Sequence, residues 1–298
     1  MMAGLLSIAF RYFFSKLSNF YSHVSGFHAV HDRHSSFPPP SNALSGPEGV
    51  FIMKDIRIEV DAHTHTVMSG HAWSTLQENC AAAAAKGIRA ICMTDHGSRM
   101  KGTGTIWAPW SFSQLPEEIA GVRVYPGMEF NLWDTQGHLD DYPPSAFPHI
   151  RFGIVSMHKN VMPVLDRDAH TEAYIRAMDH ACVDLIGHPG IPAYPVDEER
   201  LVRAAAERGR LIEINNNSFV ARPGCDGACR RIAQLCMRYD VRVCVDSDAH
   251  FSANIGEVPK ALAMLREIGF PPELIVNLTF ERFDAYIQER EARMRAQG

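Results

Sequence analysis

"VDAHTHTVMSGHAWST", residues 60–75, begins as an apolar strand and then carries three histidines, His63, His65 and His71, within nine positions. In an extended chain, residues two apart face the same side. His63 and His65 therefore present two imidazoles close together, the spacing that suits one metal ion. The same period of two joins Asp248 and His250 in "VDSDAH", far along the chain.

Outward from this stretch, strand-like apolar runs alternate with helical ones. The strand candidates are "IRIEVDAH", "IRAICMTDH", "VRVYPGMEF", "FGIVSMH", "VDLIGHP", "RLIEINN" and "VRVCVDSDAH". The helical pattern after the first opens with a capping box, Thr75 to Glu78, and closes at Gly87; "DEERLVRAAAERG" opens at Asp197 and closes at Gly209. "TEAYIRAMDHAC" and "ACRRIAQLCMRY" are also helical, while the connection before the third strand is less regular. Strands buried on both faces and separated by crossover helices imply a parallel sheet, and seven of them favour closure. The expected fold is α/β, a distorted seven-stranded (β/α)7 TIM-like barrel.

In such a barrel all strand C-termini open onto one face, so residues scattered along the chain converge there. The strand ends carry His63, His65, His96, Glu129, His158, His188, Asp248 and His250. Taken alone, His188 before Pro189 reads as a turn residue, and Glu129 or Asp248 as a cap or surface charge. Independent turn residues would not close strand after strand in this way. His138, His149, His170 and His180 lack such placement and read as ordinary polar residues. Imidazole and carboxylate without thiolate suit zinc, manganese or iron in a reactive site. With His71 there are seven histidines and two carboxylates. An ion that keeps an open position takes about three or four protein ligands, so the set fits three ions, with Glu129 or Asp248 as the bridge.

A chain of 298 residues, 46% hydrophobic and 21% charged, can bury a sizeable core in one large or two modest domains. A net charge of −5 with no basic block disfavours a nucleic-acid partner. Seven cysteines without a CxxC pair read as reduced, buried thiols in a cytoplasmic protein. Residues 1–52 differ: "LLSIAFRYFFSKLSNFY" is too short to span a bilayer, and the Pro/Ser/Gly-rich tract after it cannot offset its ordering entropy. A disordered or dispensable N-terminal extension is expected there, and a metal-dependent domain over 53–298 beginning at Met53. An amphipathic membrane-surface or partner-binding segment is the competing reading.

The motifs "DAHTHT", "TDHG", "GMEFN", "SMHK", "GHPG", "EINNNSF" and "DSDAH" resemble those of the PHP (polymerase and histidinol phosphatase) superfamily. The extra histidine of "SGHAWST" is most similar to the YcdX-type phosphatases within it. The resemblance runs from about residue 57 to about 280. It implies a trinuclear site at the strand C-termini. One ion would be held by His63, His65, Glu129 and Asp248, a second by His71, His96 and His250, and a third by His158, His188 and a shared oxygen of Glu129. It also implies three divalent ions, zinc first with manganese or iron as alternatives, and hydrolysis of a small-molecule phosphomonoester by a metal-activated water held by His63, His65, Glu129 and Asp248.

Other expectations concern the surroundings. Asp61 and Asp95 are candidates for orienting ligand imidazoles, Asp95 equally for capping its strand. Arg222 is a candidate phosphate clamp, and Asn215 and Asn216 either line the pocket or satisfy turn hydrogen bonds. The alternatives are a PHP-type exonuclease or phosphodiesterase on nucleic acid, a metal-dependent amidohydrolase, and a non-catalytic metal-binding protein. The acidic charge weighs against the first, the carboxylate at the third strand end against the second, and the complete ligand set against the last.

Overall fold

All seven expected strands pair in parallel. The structure, a computed structural model, describes residues 56–104 and 106–297. The extension expected over 1–52 and the domain start at Met53 lie outside the described residues. The strands are β1 (Val60–Thr64), β2 (Ala90–Met93), β3 (Glu118–Ile119), β4 (Val122–Asn131), β5 (Phe152–Ser156), β6 (Leu185–Ile186), β7 (Leu211–Asn215) and β8 (Val243–Asp246). Their order is β1-β2-β4-β5-β6-β7-β8, with β3 off this path. The short β3 pairs antiparallel with β4. Its turn places Ala120 and Gly121 at φ 53° and 78°, the two left-handed positions of a tight hairpin, in the connection that read as irregular.

The helices are α1 (Leu76–Ala85), α2 (Ala108–Ser111), α3 (Arg167–Ala177), α4 (Glu198–Arg208), α5 (Ser218–Ala221), α6 (Asp226–Tyr239), α7 (Pro259–Glu267) and α8 (Phe280–Gln297). The Thr75–Glu78 capping box forms at the start of α1. Asp197 accepts from the Arg200 amide at the start of α4, and Gly209 ends that helix at φ 62°. No helix among the described residues is long and apolar enough to cross a membrane. All seven cysteines are unpaired and buried, as their spacing suggested.

Alternate strand residues divide between two apolar layers, as a doubly buried sheet requires. Val60, Ala62, Ala90, Cys92, Tyr125, Phe152, Ile154, Leu185, Leu211 and Cys244 form the barrel interior. Their neighbours Ile91, Met93, Val124, Met128, Ile212 and Val245 pack outward in the other cluster, with the helices. Phe283, Tyr286 and Ile287 of α8 join the interior layer and fill the N-terminal end of the barrel. There the fully buried Asp184 accepts from Arg290 Nε at 2.6 Å, Arg293 Nη2 at 2.7 Å and the Gly153 amide at 2.9 Å. A charge so enclosed persists only because it is paired and hydrogen-bonded.

Closure between β1 and β8 uses several hydrogen bonds, among them one from the Ala62 amide to Asp246 Oδ1 at 2.8 Å. At the C-terminal end the His65 amide donates to Ala249 O at 2.9 Å. Deeper in the seam, the fully buried Asn277 stands between the strands. Its Nδ2 donates to Val60 O (2.9 Å) and Val245 O (2.8 Å), and its Oδ1 accepts from the Val245 amide at 2.9 Å. One side-chain amide thus replaces ladder hydrogen bonds that the two strands do not make to each other.

Candidate metal centre

The inward parity of the barrel brings the expected ligands to its C-terminal mouth. Counting in twos from interior residues, Cys92 leads to His96, Tyr125 to Glu129, Ile154 to His158, Leu211 to Glu213, and Cys244 to Asp248 and His250. Two positions break the count. Along β1 the pairing with β2 slips between Asp61 and Thr64, where β1 carries one extra residue. Such a bulge re-aims the side chains after it, so His63 and His65 face the mouth although Ala62 faces the interior. After β6, His188 adopts φ 30°, rare for a residue other than glycine, and turns toward Glu129; Asp248 at φ 54° is the other site residue in that region.

Glu129 is the hub. Its Oε2 lies 2.7 Å from His96 Nδ1, 3.4 Å from His63 Nε2 and 3.5 Å from His65 Nε2. Its Oε1 lies 3.0 Å from His188 Nε2 and 3.3 Å from His158 Nε2. Asp248 Oδ1 stands 3.7 Å from His63 Nε2 and 3.3 Å from His65 Nε2. Donor atoms about 2.0–2.2 Å from one tetrahedral ion are separated by about 3.3 Å, so the gaps of 3.3–3.7 Å have the size an ion needs, whereas the contacts of His96 and His188 with Glu129 are at direct hydrogen-bond distance. Three groups bring their donor atoms within 4.8 Å of one another and could hold an ion: His63 with His65 and Glu129; His65 with His96 and His250; His96 with Glu129 and His158.

The second nitrogens of the histidines decide what faces the centre. His63 Nδ1 donates to Glu213 Oε1 at 2.7 Å, His71 Nδ1 to Ser69 O at 2.9 Å, and His250 Nδ1 to Asp248 O at 3.1 Å. His158 Nδ1 donates to Asn131 Oδ1 at 2.9 Å, since Asn131 Nδ2 is itself a donor to Gly97 O and Asp140. Ser69 Oγ donates to Asp95 at 2.5 Å and so accepts from His65 Nδ1 at 2.9 Å. In all five rings Nε2 is left with its lone pair toward the mouth. His71 Nε2 and His250 Nε2 stand 3.0 Å apart, two lone pairs that a cation would reconcile. His63 Nε2, His65 Nε2, His96 Nδ1, Glu129 Oε2 and His188 Nδ1 are buried without a hydrogen-bond partner. Buried orphans are rare in proteins, and the convergence of the first four fits a cation site, while His188 Nδ1 lies on the side of its ring away from Glu129.

Electrostatics agree. Burial pushes the Glu129 carboxyl up, but His96, His63 and His158 outweigh it and hold it well below the usual range. Asp248 is held low in the same way, against burial, by His63, Arg222 and His65. Burial also works to lower His63, yet Glu213, Glu129 and Asp248 raise it well above an ordinary imidazole. The carboxylates that hold a proton there would draw a metal cation.

The residues expected around the ligands are placed differently. Asp61 does not touch an imidazole: it accepts from Ser247 N, Ser247 Oγ and Gly256 N, fastening the loop after β8. The hydrogen bond expected of it comes from Glu213, which the reading of the sequence passed over. The period of two in "RLIEINN", which puts Glu213 on the face of Asn215, was the signal available. Asp95 accepts from Thr66 N and Oγ1 and reaches His65 only through Ser69. Asn215, 1% exposed, gives its Nδ2 to Glu213 and Asp248 and lies beneath the cluster. Arg222 donates through Nη2 to Asp248 Oδ2 at 2.8 Å, leaving Oδ1 to the imidazoles. Asn216 Oδ1 caps α7, accepting from Lys260 N and Ala261 N. Glu213→Gln should lower metal affinity or turnover by roughly 10–100-fold, as loss of an orienting partner does. Metal titration followed by kinetics checks this; an unchanged affinity and rate would show that packing alone aims His63.

Comparison with known proteins follows the same line. Residues 61–217 match the family model of the PHP domain. A protein of Acetivibrio thermocellus named "Probable phosphatase" is 39% identical over 240 residues, covering 80% of this chain and 99% of its own. One of the same description from Caldanaerobacter subterraneus is 40% identical over 241 residues, covering 80% and 94%. A candidate histidinol phosphatase of Listeria monocytogenes superposes with a TM-score of 0.50 at 14% identity, over 66% of this chain and 97% of that one, a likeness of fold.

Proposed function

The chain belongs to the PHP domain family, and from that premise we propose that it is a metal-dependent phosphatase acting on a small phosphomonoester at the mouth of the barrel. The observation that carries this reading is the convergence of imidazole nitrogens on Glu129 and Asp248, with His63, His65 and His158 fixed from behind by hydrogen bonds and His188 by the turn that bears it. Relatives named as phosphatases at about two-fifths identity support the reaction class.

His63, His65, Glu129 and Asp248 would hold one ion, His71, His96 and His250 a second, and His158 and His188 with Glu129 a third. Bound divalent ions supply Lewis-acid polarisation of phosphoryl oxygens and lower the pKa of water near them. Glu213 and the Asp95–Ser69 pair keep Nε2 of His63 and His65 aimed at the mouth, so the donors need not reorganise on loading. Arg222 neutralises the outer oxygen of Asp248 and holds that carboxylate in one rotamer. Its guanidinium, 23% exposed, stands at the rim, where a substrate oxygen would share it.

Metal analysis of the purified chain should find about three divalent ions. Phosphate release from a panel of small phosphomonoesters should stop on chelation and return with zinc or manganese. His71→Ala should lose about one ion and keep the others. A single ion per chain, or hydrolysis indifferent to chelators, would defeat the proposal.

A further inference from the structure

Nine large hydrophobic side chains are exposed among the described residues, and every one lies in a connection that follows a strand C-terminus. Val67, Met68 and Trp73 follow β1, Trp107 follows β2, Leu165 follows β5 and Phe251 follows β8. The opposite face of the barrel and the outward faces of the long helices carry none of them. Scattered apolar residues on a surface need no explanation, but confinement to the rim of one polar mouth does.

Two of the exposed aromatics neighbour cluster histidines along the chain. Trp73 is two residues from His71, and Phe251 adjoins His250. The Trp73 amide donates to His250 O at 2.8 Å, Ser252 N to Ser74 Oγ at 2.9 Å, and Val67 N to Ser74 O at 2.9 Å. The first two bonds lace the loops after β1 and β8 together and the third folds the first loop on itself, so the backbone that bears both aromatics is held beside the His71–His250 pair. Their side chains are nevertheless 80% and 50% exposed. Holding apolar area in water on a pre-ordered backbone is the arrangement of a site that has already met its ordering cost.

We propose that Trp73 and Phe251 bind the alcohol half of the substrate, and that this half is a flat aromatic group. The inference rests on the phosphatase reading: with the phosphate seated among the histidines, the ester oxygen and what it carries must leave through this rim. Indole and phenyl faces stack on flat apolar groups and gain little from a short polyol.

Two esters of primary alcohols, 2-naphthylmethyl phosphate and 2-hydroxyethyl phosphate, differ in this group while their leaving groups are alike in reactivity. The metal-loaded full chain should favour the first in kcat/KM, chiefly through KM. In Trp73→Ala and in Phe251→Ala the ratio between the two esters should fall about five- to tenfold. No preference in the unaltered chain, or equal losses on both esters, would overturn the proposal. Binding to phosphatidylcholine vesicles that is lost in Trp73→Ala would overturn it too, by assigning the rim to a membrane. Should neither ester release phosphate, the hydrolysis reading falls separately. Quenching of tryptophan fluorescence by 2-naphthylmethylphosphonate then decides the rim: quenching weakened in Trp73→Ala upholds it, and equal or absent quenching overturns it.

Discussion

Glu129→Gln is expected to leave a folded barrel that releases phosphate about a thousandfold more slowly or worse. The substitution keeps volume and shape, so the cost is chemical. The two Glu129 oxygens face five imidazoles between 2.7 and 3.5 Å, and the whole side chain is buried. A neutral amide removes the negative charge at the hub and turns an NH2 group toward lone pairs that Glu213, Ser69 and Asn131 have aimed inward. Because Oε1 and Oε2 serve different histidines, metal content should fall by more than about one ion per chain. Steady-state kinetics, metal analysis and circular dichroism on the same preparation check this. Turnover within tenfold of the unaltered chain, at full metal content, would remove Glu129 from the centre.

The second large effect is on stability. Asn277→Ala should cost about 3–6 kcal/mol, read from urea unfolding, because three backbone groups lose their partners in a fully buried seam. Val60 O, Val245 N and Val245 O are bonded through this one amide, which is fully buried. Asn277→Leu restores volume but no hydrogen bond and should fare little better. Asn277→Asp should be at least as harmful, since an oxygen would replace the Nδ2 that also donates to Asp246 Oδ1 at 2.9 Å. A loss below about 1 kcal/mol in Asn277→Ala would mean that β1 and β8 close the seam by themselves.

The strand register explains why so much of the centre was legible. Once the apolar runs are read as strands buried on both faces, a period of two carries Cys92 to His96, Tyr125 to Glu129, Ile154 to His158 and Cys244 to Asp248 without any knowledge of the partners. Glu213 obeys the same rule and could have been found by it. It was missed because a glutamate within an apolar run has no mark of its own until the imidazole it serves is known. Asp61 shows the opposite case. It lies two residues before His63, but the bulge between Asp61 and Thr64 turns the two side chains to different work. The role of Arg222 depends on Asp248, 26 residues away, which the chain brings to it only by folding.

The sequence by itself determined the seven strands, their helical crossovers and the gathering of histidines and carboxylates at one mouth, because these follow from local periodicity and from the shared direction of parallel strands. Tertiary structure alone decided which nitrogen each histidine presents, how a bulge and a left-handed residue bring His63, His65 and His188 into line, and how one asparagine seals the barrel. Those outcomes are set by hydrogen bonds between residues up to 217 positions apart, as from Asn277 to Val60, and no local pattern encodes a partner at that distance.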